Sequence, residues 1–233
     1  MLPLLALAAW VACGGLPAAA ESSTEPAKAP AGHAAPAVAS PIADGAARDL
    51  SALLAGMRST SGVVAQFTET KELALLSSPL EATGTIYFVP PGRLVRVVTS
   101  PGRSRLVVDG DKVRFEDETG RKSLDLSASP MARQMIDSFV VLFNGDEKRL
   151  KELYTTEFKA DGDAWHLHLL PRSAPLDRMV ASFDLTGSGA RIDRMESVEP
   201  DGDRTVTRFG DTDSQHEFSD RELAELFDEK PAS

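Results

Sequence analysis

Few side chains in this sequence are spaced for chemistry. The best pair is His166 and His168. At i and i+2 on a strand, two imidazoles share one face and can begin a metal site. A third ligand is needed, and no carboxylate stands near them in sequence at a ligand spacing. Trp165, Leu167 and Leu169 alternate with them, so the simpler expectation is a strand with apolar residues facing a core and histidines facing solvent. His33 and His216 are isolated. Glu116, Asp117 and Glu118 cluster at a turn, where charge is usually just solvated, and Gly187-Ser188-Gly189 reads as a turn. No GxSxG, HExxH, P-loop or GxGxxG run occurs. The expectation is a protein that is not an enzyme, with no cofactor and no metal.

The N-terminus carries a different kind of signal. Leu2 to Val11 is almost wholly apolar, and Leu16-Pro17-Ala18-Ala19-Ala20 ends in the small-x-small pattern read by signal peptidase. This predicts a signal peptide over residues 1–20, and export. The apolar stretch falls short of the roughly 20 residues that a membrane-spanning helix needs. The only cysteine, Cys13, lies inside it; lipid on Cys13 is the alternative outcome, and cleavage after Ala20 leaves no thiol for a disulfide or metal. Residues 21–43 are rich in Ala and Pro without apolar periodicity and read as a flexible tether. Residues 44–233 are then one domain. With 25 basic against 35 acidic residues the net charge is −10, and no basic cluster stands out. That excludes nucleic acid as a natural partner and disfavours docking on anionic lipid.

The elements that must carry any function follow from periodicity. Asp44 is a plausible N-cap for a helix through about Ser59, with Leu50, Leu53, Leu54 and Met57 on one face. Strands are expected at 63–73, 83–89, 93–99, 106–109, 113–116 and 122–126. The pattern then breaks. Met131, Met135, Phe139, Leu142 and Phe143 form one helical stripe over 130–143, widened by Ile136 and Val140, and a short helix follows at 147–153. Strands resume at 155–159, 165–170, 179–186, 191–199 and 204–209, with Gly-bearing turns between them. Ser219-Asp220-Arg221-Glu222 opens a last short helix through Phe227 as a capping box. The expected architecture is mainly β with helices, a curled antiparallel sheet of roughly ten strands. The helices of 44–59 and 130–143 are expected to cover its concave side over an apolar space.

Several ordered segments resemble the outer-membrane lipoprotein carrier (LolA-like) family. They are Phe67-Thr68-Glu69-Thr70-Lys71, Gly84-Thr85-Ile86-Tyr87-Phe88 running into Pro90-Pro91-Gly92-Arg93-Leu94, Pro101 with Leu106-Val107-Val108-Asp109-Gly110, and Trp165 to Pro171 followed by Ile192 to Asp203. The likeness spans roughly residues 45–210. It implies an unclosed β-barrel with a helical lid over a hydrophobic cavity. It also implies a periplasmic carrier that shields acyl chains between an inner-membrane release complex and an outer-membrane acceptor. Cargo would be an acylated lipoprotein or another amphiphilic lipid. Leu50, Leu54, Met57, Leu94, Met131, Met135, Phe139, Leu142 and Phe143 are the expected cavity and lid residues, though periodicity alone does not separate cavity lining from plain core.

Two departures from the family pattern stand out. The family arginine that fastens the lid precedes the proline at the start of the third strand; here that position is Pro90, which has no N–H to donate. Arg93 and Arg96 are the candidates to replace it. The family's proline-bearing C-terminal loop gives way to the helix from about Ser219 to Phe227. The alternative functions are an outer-membrane acceptor of the same fold and a periplasmic lipid-sensing module. A closed apolar interior favours a monomer.

Overall fold

In the computed structural model, residues 49–228 are described. The segments expected as signal peptide and tether, with Cys13, His33 and Asp44, lie outside them. The first helix, α1 (Leu50–Arg58), is capped by Asp49, whose side chain accepts from the Ala52 amide at 2.8 Å. The cap expected at Asp44 is instead Asp49, because the helix opens at Leu50 and the carboxylate directly before it reaches the Ala52 amide; the buried stripe is Leu50, Leu53, Leu54 and Met57.

Among the described residues, eleven strands form one sheet. The first six are β1 (Val63–Glu72), β2 (Leu80–Val89), β3 (Arg93–Ser100), β4 (Ser104–Asp109), β5 (Lys112–Asp117) and β6 (Gly120–Asp125). Helices α2 (Pro130–Asn144) and α3 (Glu147–Leu153) intervene. Then come β7 (Tyr154–Asp161), β8 (Ala164–Pro171), β9 (Ser182–Ser188), β10 (Arg191–Val198), β11 (Arg204–Asp213) and α4 (Asp220–Phe227). The order is β6-β5-β4-β3-β2-β1-β11-β10-β9-β8-β7, with neighbours antiparallel. Each half is a meander, and the two halves join where β1 pairs with β11, Glu69 opposite Thr207. The edges β6 and β7 are left unpaired with one another among the described residues, so the barrel is not closed. The α2–α3 connection runs from one edge to the other.

Two differences from the sequence reading have local causes. Leu176–Arg178 is a short 3-10 turn and β9 starts only at Ser182, so the strand expected from Met179 begins later. Gly187 belongs to β9 and not to a turn. A Cβ there would meet the Trp165 ring at 2.5 Å, so glycine lets β8 and β9 approach. The turn itself is carried by Gly189 at φ 56°. Elsewhere Val89 ends β2 at the double proline and Arg93 opens β3, as the missing amide donors require.

The inner face holds two apolar clusters. One gathers α1 and the second meander around Leu53, Leu54, Trp165, Leu167, Leu169 and Phe183. The other gathers the first meander around Leu106, Val108, Val113 and Phe115. Helix α2 touches both: Ala132 and Ile136 pack into the second, Val141 and Leu142 into the first. The outer face has its own cluster, in which Phe227 of α4 lies against Val95 and Val107.

Candidate functional site

The space between α2 and the inner face is built by alternation along the strands. On β3, Leu94 and Arg96 point inward while Val95 and Val97 join the outer cluster. On β1, the inward series is Ala65, Phe67, Glu69 and Lys71, all buried. Two apolar clefts result. One has a free volume of about 60 Å³ and is lined by Leu94, Phe139, Val140 and Phe143 with Ile86 and Phe209. The other, about 50 Å³, is lined by Met57, Val63, Phe88 and Ile192. Ile86, Phe143 and Phe209 line both, so these three side chains form the partition. Phe143 stacks on Phe88 with centroids 5.9 Å apart, and Phe139 meets Phe183 edge-on at 5.7 Å.

The cavity residues expected from the sequence divide into three groups. Leu94, Phe139 and Phe143 line a cleft, and Met57 lines the other. Leu50, Leu54 and Leu142 are packed in the core cluster beneath α1, and Met135 is buried as well. Met131 is 52% exposed. It is the second residue of α2, and its neighbour Ala132 is fully buried, so Met131 faces solvent from the first turn while Ala132 and Met135 face inward. Periodicity puts it on the edge of the stripe, and at the helix start that edge faces solvent.

Arg93 and Arg96 lie on opposite faces. Arg93 pairs with Asp109 at 2.8 Å and its guanidinium covers the Phe227 ring at 3.7 Å. It therefore holds the C-terminal helix on the outer face, not the lid. Arg105 donates to the Leu226 carbonyl at 2.6 Å and Arg114 to that of Phe227, so two arginines satisfy the last carbonyls of α4. Arg96 is inside. Its Nη2 donates to Glu69 Oε1 at 2.9 Å, its guanidinium lies 4.5 Å from the Phe67 ring, and Thr207 Oγ1 donates to Glu69 Oε2 at 3.2 Å. Burial pushes the Glu69 carboxyl above the usual range for glutamate, with Arg96 and Thr207 pulling the other way. Glu69 and Thr207 are lining residues that sequence periodicity did not select. The signal was the i, i+2 run Phe67, Glu69, Lys71, in which charged residues share the face of a phenylalanine.

The lid is fastened by other groups. Arg133 near the start of α2 pairs with Asp111 of the β4–β5 turn. At its other end the Gly145 carbonyl accepts from Arg58 Nη2 of α1 at 3.1 Å. Midway, Tyr154 Oη donates to the Ser138 carbonyl at 3.0 Å, and burial raises that phenol well above its usual range. On the outer face, His166 Nε2 and His168 Nδ1 both hydrogen-bond Asp184 Oδ1, at 2.8 and 2.9 Å. The histidines are thus turned away from the core, and the carboxylate that sequence spacing failed to supply comes from the neighbouring strand.

Comparison with known proteins agrees with this geometry. The sequence profile described as "Outer membrane lipoprotein carrier protein LolA-like" matches residues 42–220. An outer-membrane lipoprotein carrier protein from Chromohalobacter salexigens is 28% identical over 131 residues, which is 56% of this chain and 60% of that protein. Among solved structures, a DUF1329 family protein from Desulfovibrio piger aligns at TM-score 0.43 and 11% identity, over 78% of this chain and 98% of its own. A LolA superfamily protein from Nitrosomonas europaea aligns at 0.39 and 10%, over 74% and 94%. These distant structural likenesses add no argument of their own. The profile match covers most of the domain, and the chain belongs to the LolA-like outer membrane lipoprotein carrier family.

Proposed function

We propose that this protein carries an acylated lipoprotein, or a lipid-like amphiphile of the envelope, through the periplasm, with acyl chains held between the inner face of the sheet and α2. The observation that carries this reading is the pair of apolar clefts meeting at Phe143. Their free volumes are far below the roughly 300–1,000 Å³ of a typical ligand pocket. Loading therefore requires α2 to move off the sheet. Each buried CH₂ contributes about 0.8 kcal/mol, so a 16-carbon chain supplies on the order of 10 kcal/mol toward that opening. An inner-membrane release complex would deliver the cargo and an outer-membrane acceptor would receive it. No helix among the described residues is long and apolar enough to cross a membrane.

The test is native mass spectrometry of the full chain offered a triacylated cysteinyl peptide. Wild type is expected to form a one-to-one complex, and Phe139→Glu to lose it while keeping its sheet by circular dichroism. Met131→Glu, on the same helix but exposed, is the control and should bind as wild type does. Unimpaired binding by Phe139→Glu removes α2 from the site, and no uptake by wild type overturns the carrier reading.

A further inference from the structure

The inner wall is not uniformly apolar. Of the eight buried polar or charged residues among those described, five cluster on β1, β3 and β11: Glu69, Lys71, Arg96, Thr205 and Thr207, each at most 6% exposed. Their adjacency follows from register, with Glu69 opposite Thr207 and Lys71 opposite Thr205. Lys71 pairs with Glu199 at 3.1 Å, and Arg96 with Glu69 at 2.9 Å. The Thr205 hydroxyl is buried with no hydrogen-bond partner.

A wall meant only for alkyl chains gains nothing from such groups. Desolvating two ions is costly, and well-packed apolar residues in place of a buried pair are often as stable or more so. In ligand pockets, a small number of placed polar groups sets orientation and specificity. Arg96, Glu69 and Thr207 line the same cleft as Phe139 and Phe143. A guanidinium carries five N–H donors. Arg96 donates one hydrogen bond, from Nη2 to Glu69, and otherwise covers the Phe67 ring.

We propose that Arg96, held in place by Glu69, receives the carbonyl oxygen of the ester or amide that joins an acyl chain to its head group. Cargo is thereby engaged by its polar linkage inside the fold as well as by its chain. Because the Arg96–Glu69 pair is already charge-balanced, a neutral acceptor fits better than a free carboxylate, which would face Glu69. The inference rests on the carrier reading and deepens it.

The test compares two amphiphiles that differ only in that carbonyl: 1-monolauroylglycerol and its ether analogue 1-O-dodecylglycerol. Each displaces the uncharged fluorophore N-phenyl-1-naphthylamine from the full chain. Wild type is expected to prefer the ester by about tenfold or more, as a hydrogen-bonding site rejects the analogue lacking its acceptor. The double variant Arg96→Met/Glu69→Met keeps apolar bulk without charge; it is expected to bind both amphiphiles alike, near the wild-type affinity for the ether. Equal binding by wild type, or an undiminished preference in the double variant, overturns the proposal while leaving the carrier reading intact. Failure of wild type to bind fluorophore or amphiphile overturns both. A triacylated cysteinyl peptide and dilauroyl phosphatidylglycerol, run as competitors, separate a lipoprotein source of the ester from a membrane lipid. Displacement by neither overturns the assignment.

Discussion

Replacing Arg96 alone with methionine should destabilise the protein far more than replacing Arg96 and Glu69 together. Both side chains are nearly inaccessible, at 7% and 5% exposure, and their pairing distance is 2.9 Å. Removing Arg96 leaves the Glu69 carboxylate buried with the Thr207 hydroxyl as a hydrogen-bond donor and the weaker, more distant charge of Lys71 in place of a direct partner. Breaking a buried pair in this way costs about 3–5 kcal/mol, whereas exchanging both ions for apolar residues is often near neutral. For a domain of this size, 1 kcal/mol corresponds to roughly 2–4 °C in Tm, so the single variant should melt about 10 °C lower and the double within a few degrees of wild type. The pH dependence gives an internal check. Glu69 already titrates above its usual range, and losing Arg96 raises it further. A carboxyl raised in the folded state favours the protonated form, so the Arg96→Met protein regains stability as pH falls through that folded value towards the unfolded one near 4.5. Urea unfolding at pH 7.5 and pH 5 should show the deficit shrinking at the lower pH. Equal losses in single and double variants, or a deficit independent of pH, would refute the idea that these two charges depend on each other.

Two further outcomes bear on the framework. Gly145→Ala should lower stability by more than about 1 kcal/mol in thermal melts, because Gly145 ends α2 at φ 67° and an added Cβ would collide with the Leu54 carbonyl and crowd the Arg58 amide. Glu196 hydrogen-bonds Arg204 and Arg194, which hold its carboxyl down to about 2. Its stabilisation is present above the unfolded value near 4.5 and is lost as pH falls towards 2. Arg204 is 41% exposed, so screening limits the effect to about 1–2 kcal/mol. Acid titration of unfolding should be flatter in Glu196→Gln than in wild type.

How much was legible in the sequence depended on whether the information was local. Alternation along Trp165–Leu170 placed the histidines outside, and the stripe of 130–143 marked a helix that runs from Pro130 to Asn144. The capping box at Ser219 is present in full. What local pattern could not reach was pairing between distant strands. Glu69 and Arg96 are 27 residues apart, and Glu69 and Thr207 are 138 apart. Only the register of β1 against β11 and the order β1-β2-β3 bring them together. The faces of Arg93 and Arg96 were open to parity reasoning, since an odd separation on a strand puts two side chains on opposite sides. Arg93 and Arg96 therefore cannot both face the lid. Asp184 escaped for the same reason as Thr207, being a neighbour in register and not in sequence.

In the proposed carrier α2 would be the moving part, and the topology permits this. Every strand from β6 round to β7 is held by a neighbour through backbone pairing, and the closure of β1 on β11 joins the two meanders without help from a helix. The α2–α3 connection crosses between the free edges and contributes no strand. Lifting α2 therefore breaks side-chain contacts and a few polar ties, Arg133 to Asp111, Tyr154 to Ser138 and Arg58 to Gly145, while the sheet ladder stays whole. Because Ala132 and Ile136 pack into one apolar cluster and Val141 and Leu142 into the other, movement of this helix exposes both halves of the inner face together. The apolar surface uncovered is the surface an acyl chain would cover, so cargo restores much of what opening removes. Helix α4, fastened to the opposite face by Arg93, Arg105 and Arg114, would take no part in that exchange.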